Sequence, residues 1–285
     1  MIIVDYSGIA ISNLFSMKEQ VSENLVRHMI LNSLRMYNVK FRQDYGQMVI
    51  ACDGGGTWRK ELYPHYKANR KKNREESGVD WKEFFRILNM VRDEIREHLP
   101  FKVVHVPGVE ADDIIGTLVD QAQEFGRNEN VMIISSDTDF VQLHQYKNVK
   151  QFSPLKKAFI KEKDPVRYLQ EHILRGDSGD GVPNVASKDD VFVSGGRQTP
   201  LRAKVIEEWI QNWSKLDYHM NVETYRNFQR NRALIDLSAI PPTKKLEIIN
   251  TFDAVKTNSN TLNYLISKRC TQLIECAEEF NSVTP

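Results

Sequence analysis

Cysteine occurs only three times in 285 residues, as Cys52, Cys270 and Cys276. These positions form neither an even disulfide set nor a metal-ligand spacing, so a disulfide scaffold is excluded and a reducing compartment is expected. The seven histidines include no His-x-x-x-His pair, which argues against a zinc site. No apolar run approaches the roughly 18 residues that span a bilayer. The opening MIIVDYSGIA has no basic leader and is interrupted by Asp5, so it reads as a core strand rather than a signal peptide. No Walker-type Gly-Lys-Ser/Thr loop follows the three glycines at 54–56, which read as a hinge. Net charge is only +1, which by itself says nothing about nucleic acid.

The charge is nevertheless uneven. Residues 58–74, WRKELYPHYKANRKKNR, hold seven basic side chains, Arg59, Lys60, Lys67, Arg70, Lys71, Lys72 and Arg74, against one acid, Glu61. A solvated helix face would explain such a run. The interleaved Tyr63 and Tyr66 favour a nucleic-acid contact instead, with stacking on the tyrosines and phosphates met by lysines that read no sequence.

Apolar runs at 2–4, 48–52, 102–106 and 131–134 alternate with helical periodicities around 21–37, 81–98 and 110–125. This rhythm predicts an α/β domain over residues 1–163, with a mostly parallel central sheet flanked by helices. From 164 onward the patterns at 165–176, 201–213, 221–235 and 260–280 predict a mainly helical second domain, 164–285.

Acids follow each strand. Asp5 ends the first run and Asp53 the second; Glu110, Asp112 and Asp113 follow the third after a Pro-Gly turn; Asp137 and Asp139 follow the fourth. One aspartate after a strand is ordinarily a turn former or helix cap. Four strands of a parallel sheet all delivering carboxylate to the same edge predict one shared acidic site. Gathered carboxylates repel unless a cation neutralises them, and an oxygen-rich, thiol-free set suits Mg²⁺ or Mn²⁺. A further pair, Asp177 and Asp180, lies in GDSGDGVPNV, where the glycines are expected to leave backbone N–H groups free for a phosphate. In SSDTDF, a strand continuing through residue 139 would aim Asp137 and Asp139 the same way, and a bend would separate them.

Taken together, VDYS at 4–7, CD at 52–53, WRKELYPHYKANR at 58–70, EADD at 110–113, ISSDTDF at 134–140 and GDSGDGVPNV at 176–185 resemble the 5′ nuclease (flap endonuclease) superfamily. Within it the chain is most similar to the T-even bacteriophage ribonuclease H branch, over nearly its whole length. The resemblance implies a Mg²⁺-dependent 5′-to-3′ nuclease that removes RNA primers in phage replication. It implies a first metal held by Asp5, Asp53, Glu110, Asp112 and Asp137, with Asp113 adjacent, and a second by Asp139, Asp177 and Asp180, which requires the bend after Asp137. It further implies Lys67 and Arg70 over the scissile phosphate and an arch at about 57–80. A helix–three-turn–helix near 176–205, with Gly179, Gly181 and Lys188, would grip duplex.

The implied substrates are duplex, flapped or nicked DNA and RNA·DNA hybrid. The implied partners are a phage single-strand-binding protein and a sliding clamp, for a monomer in the bacterial host cytoplasm. One departure stands out: Gly181 replaces the family's usual Asn and Asn184 its usual Gly, a position where Asn suits left-handed backbone. A PIN-type single-strand ribonuclease would share the acids but lack arch and glycine turn, and a non-catalytic DNA-binding module would not need the acids.

Overall fold

A computed structural model of the chain describes residues 1–16 and 21–281, apart from the side chains of residues 15, 16, 72 and 73. The expected Lys72 contact therefore lies outside the described side chains.

The chain begins β1 (Ile2–Asp5), α1 (Tyr6–Ser16), α2 (Glu23–Tyr45) and β2 (Met48–Cys52). Three helices follow, α3 (Arg59–Leu62), α4 (Asn69–Glu76) and α5 (Trp81–His98), and then β3 (Lys102–His105), α6 (Ala111–Gln123) and β4 (Val131–Ile134). A 3₁₀ stretch over Thr138–Gln145 leads to β5 (Val149–Ser153) and β6 (Ala158–Ile160). The rest is helical: α7 (Pro165–Arg175), α8 (Ala203–Gln211), α9 (Leu216–His219), α10 (Val222–Ile235), α11 (Pro242–Ala254), α12 (Thr261–Ser267) and α13 (Thr271–Ile274).

The six strands form one sheet in the order β3-β2-β1-β4-β5-β6. All pairs are parallel except β5–β6, which is antiparallel. The central strands are continuous apolar runs because helices cover both faces. Alternation along each strand divides the core. Ile2, Val4, Ile50, Val103, Met132 and Ile134 face α2 and α5, whereas Ile3, Val49, Ala51, Val104, Val131 and Ile133 face α6.

β5 and β6 are absent from the sequence expectation, as are α1 and α11. In β5 the run VKQFS breaks its apolar pattern at Lys150 and Gln151. Its Gln151 is nonetheless fully buried, because its side chain serves the neighbouring loop. The segment from 237 onward packs on the sheet. Leu237, Ile240 and Ile248 join the α6 side, and Tyr264, Leu265, Leu273 and Phe280 join the α2–α5 side. A third core lies between α7, α8 and α10 and takes in Tyr63 and Tyr66 from the basic segment.

Candidate active site

The parallel strands point their C-terminal ends one way, and the acids emerge there. Asp5 closes β1 and sits at the start of α1, where its Oδ1 accepts the Gly8 N–H at 2.8 Å. A Cβ at Gly8 would lie 2.3 Å from Asp5 Oδ2, so this turn admits the carboxylate because residue 8 is glycine. The Ser135 hydroxyl donates to the other oxygen at 2.9 Å. Burial, and then the charge of Asp53, push the Asp5 carboxyl up to about 6. Asp53 is held by the Ser7 hydroxyl at 2.6 Å and by the Ala111 N–H at 3.0 Å.

After β4 the chain bends. Asp137 caps the 3₁₀ stretch and accepts the Asp139 N–H at 2.9 Å. Gln151 Nε2 reaches across from β5 to the backbone oxygens of Ser135, at 3.0 Å, and Asp137, at 2.6 Å. The bend gives the two carboxylates different neighbours. Asp137 acts on Asp112 and Asp5 as well as on Asp139, while Asp139 also lies toward His172 and Asp177. Burial first, and then neighbouring carboxylates, hold Asp112 and Asp139 well above the usual range; Asp177 is raised by burial and Asp180. Asp180 is held low, because Lys67 and Arg70 outweigh the effect of its burial.

The two groups thus concentrate more negative charge than the protein compensates, which is the condition a bound divalent cation relieves. Their carboxylate oxygens fit a hard ion, and His172 sets a nitrogen beside the second group.

The basic segment divides between this site and the core. Lys67 takes left-handed backbone, φ 56°, an uncommon conformation for a lysine. Its N–H donates to Asp180 O at 2.7 Å, and its Nζ lies 2.5 Å from Glu110 Oε1. Burial works against its charge, but Asp180, Asp112 and Glu110 outweigh burial and raise its pKa. Arg70 Nη2 reaches Asp180 Oδ1 at 2.5 Å. Lys60, Lys71 and Arg74 remain exposed, and with Trp81 and Phe85 they line a cleft of about 1000 Å³ that runs to Asp53 and Glu110. Lys188, seven residues after Gly181, is exposed.

Several expected contacts are replaced by internal ones. Tyr63 and Tyr66 are buried, so neither ring is available to stack on a base. The Tyr63 hydroxyl donates to Asp189 O, with Gly181 O 3.2 Å away; that of Tyr66 donates to Asp180 Oδ2 at 2.8 Å. Arg59, also expected to meet nucleic acid, is buried between Glu110, at 3.0 Å, and Asp113, at 2.8 Å, and donates to Leu234 O. Asp113, expected beside the metal set, is fully buried on the core side of α6. There it accepts the Trp58 indole N–H at 3.1 Å and the Glu110 N–H at 3.0 Å.

The glycine turn offers no free amides at the expected positions. Gly179 N–H binds Asp177 Oδ1, and Gly181 N–H binds Ser178 O. Gly181 has φ 70°, whereas Asn184 is not left-handed; its side chain bonds Thr199 O, the Ala186 N–H and the Ser187 hydroxyl. At the three glycines, a Cβ on Gly54 would strike Val106 O at 1.7 Å, so that residue permits close strand packing rather than hinging.

Two residues escape the sequence reading. Gln151 has a weak signal, a polar residue inside a β-type run. His172 has none, because its neighbours Asp139 and Asp177 meet it only in space.

Residues 1–172 match the family described as 5′-3′ exonuclease, N-terminal resolvase-like domain, and residues 167–280 match that described as T4 RNase H, C terminal. The chain is 32% identical to ribonuclease H of Enterobacteria phage T4 over 292 residues, covering 98% of this chain and 95% of that protein. Among solved structures, the phage T5 5′-exonuclease with bound zinc superposes with a TM-score of 0.59 at 19% identity, covering 97% of this chain and 99% of that one. A phage T5 flap endonuclease in a pseudo-enzyme–product complex with DNA and metal ions gives 0.60 at 20% identity, covering 97% and 98%. These two likenesses are of fold. The chain belongs to the 5′-3′ exonuclease family of nucleases, in the branch that carries the phage T4 RNase H type of C-terminal domain.

Proposed function

We propose that the protein is a Mg²⁺-dependent 5′-to-3′ nuclease. On this reading it hydrolyses phosphodiesters of RNA·DNA hybrid and duplex DNA, cuts 5′ flaps, and removes RNA primers in phage DNA replication. One observation carries the reading: carboxylates from the ends of three strands, the start of α6 and the glycine turn meet at one edge, with Lys67 and Arg70 bonded among them.

Asp5, Asp53, Asp112 and Asp137 would hold one divalent ion, with Glu110 behind them; Asp139, Asp177 and Asp180 would hold a second. Mg²⁺, or Mn²⁺ in its place, supplies Lewis-acid charge and an acidified water when bound. The protein's part is positioning. Gly8 and Ser135 orient Asp5, Ser7 and the start of α6 orient Asp53, and Gln151 fixes the bend that separates Asp137 from Asp139. Lys67 and Arg70, held against carboxylates without substrate, would transfer their charge to the non-bridging oxygens of the scissile phosphate. Lys60, Lys71 and Lys188 would meet phosphates along the strands. In the cleft, half-buried Trp81 and Phe85 take over the stacking role that the buried tyrosines cannot fill.

The reading places the protein as a monomer in the host cytoplasm, working beside a phage single-strand-binding protein and clamp. Incubation with a 5′-flap, a nicked duplex, an RNA·DNA hybrid and single-stranded RNA in Mg²⁺ tests it. Short products released from the 5′ ends of hybrid and duplex support it. Cleavage of single-stranded RNA alone favours a PIN-type ribonuclease, and binding without products leaves a DNA-binding module.

A further inference from the structure

His172 projects from α7 into the second group of acids. Its Nδ1 lies 3.5 Å from Asp139 Oδ1 and its Nε2 lies 3.9 Å from Asp177 Oδ2. Both separations are too long for hydrogen bonds, so the ring is bonded to neither carboxylate. The Tyr168 ring packs edge-on against it, with centroids 5.9 Å apart, and the side chain is mostly buried. Asp139 has no hydrogen-bond donor to its carboxylate among the described residues, and its ion-pair neighbour is this imidazole.

One ligand atom from each of Asp139, His172 and Asp177 lies within 4.8 Å of the others. Donor–ion distances of about 2.1 Å allow ligand atoms up to about 4.2 Å apart. The three therefore need to close by at most some tenths of an ångström to share one ion. A cavity of about 700 Å³ opens onto them, lined also by Arg70, Tyr168 and Arg175, so an ion there is reachable from solvent.

We propose that His172 is a ligand of the second-ion position, which makes that position a mixed nitrogen–oxygen site selective for a transition divalent cation, Mn²⁺ or a later metal, over Mg²⁺. The inference rests on the nuclease reading above and adds the identity of one ligand and the metal preference that follows. Imidazole is a borderline-soft donor that binds transition ions better than it binds Mg²⁺, which takes oxygen ligands and water. The first group, with carboxylates alone, lacks that preference. The two positions of one site then differ in metal choice, and the difference arises from a single side chain.

The test uses the full chain without nucleic acid, loaded with Mn²⁺. Electron spin-echo modulation should show a directly coordinated nitrogen, and [¹⁵N]histidine labelling should change that coupling. His172→Gln should abolish the coupling and lower Mn²⁺ affinity at one of two sites by about tenfold or more, with Mg²⁺ affinity little changed. Asp139→Asn should weaken the same site. Wild-type protein without nitrogen coupling, or His172→Gln with unchanged Mn²⁺ affinity, overturns the inference. Should His172→Gln fail to fold, the labelled wild-type spectrum decides alone. Cleavage of duplex or hybrid in Mg²⁺ is read separately. Cleavage without nitrogen coupling sinks the His172 ligand and leaves the nuclease reading, and coupling without cleavage does the reverse.

Discussion

The Lys67 ammonium lies 2.5 Å from Glu110 Oε1 and 3.4 Å from Asp180 Oδ2, so one side chain joins the basic segment to both the start of α6 and the glycine turn. Glu110 also accepts from Arg59 and Thr57, and the Tyr66 hydroxyl lies 3.2 Å from it. The basic segment is therefore tied to the acidic site by its own polar side chains, and on the nuclease reading proposed above its cations stand in place before substrate arrives. Such preorganised charge is what phosphoryl transfer uses.

Lys67→Met should lower single-turnover cleavage by about 10²–10³-fold. Affinity for duplex should change far less, because exposed Lys60 and Lys71 remain. Unchanged cleavage at saturating protein would remove Lys67 from the chemistry.

Tyr66→Phe separates stacking from internal bonding. A stacking residue keeps its ring in this variant and loses nothing. In the structure the hydroxyl donates to the Asp180 carboxylate, and its loss should cost about 1.5–3 kcal/mol. Urea unfolding of the two proteins measures this, and an unchanged midpoint contradicts it.

Asp113 and Asp137 should respond oppositely to the same change. Asp113→Asn leaves buried Arg59 with Glu110 alone and should destabilise by about 3–5 kcal/mol. Asp137→Asn should abolish cleavage while substrate binding and melting temperature stay near wild type. Undiminished turnover of Asp137→Asn in saturating Mg²⁺ would sink its assignment.

Asp5 gives a pH dependence with a definite sign. Its folded pKa of about 6 lies above the ordinary 3.8. Between these values the folded chain keeps a proton that the unfolded chain has lost, so the Asp5 contribution to stability declines as pH rises through that window. His105, His144 and His172, all held below the usual value mainly by burial, act in the opposite direction. Comparison with Asp5→Asn isolates the carboxylate. In EDTA the variant should be more stable than wild type by up to about 3 kcal/mol at pH 7.5. The advantage should vanish near pH 4. Added Mg²⁺ should reverse the order at pH 7.5, because it stabilises the wild type through the ionised ligand. Equal melting temperatures in EDTA at both pH values would contradict the shift.

Much of the frame is legible because it is local. Ile2–Val4, Met48–Cys52 and Val131–Ile134 are buried on both faces, so each is written as an unbroken apolar run. Each run stops being apolar within three residues of an acid, Asp5, Asp53 or Asp137. The covering helix α5 shows its face through Phe84, Leu88, Val91 and Ile95. Less was legible where a residue's surroundings come from distant chain. VKQFS hides a strand because Gln151 is spent on the bend at Asp137. The stretch 237–280 resembles the rest of a helical domain in pattern, yet its apolar residues pack on the sheet.

The basic segment shows the same division most sharply. Its composition marked it as a nucleic-acid footprint, and exposed Lys60 and Lys71 have no internal partner among the described residues to contradict that. Composition could not distinguish them from Arg59, Tyr63 and Tyr66, whose partners Leu234, Gly181 and Asp180 lie more than 110 residues away. The order of apolar runs and acids along the chain by itself determined the parallel sheet and the acidic edge, because both follow from side-chain period and strand direction. Only the tertiary structure decided which acids and bases face the cleft and which are buried against one another, because burial and ion pairing depend on distances between segments that are far apart in sequence.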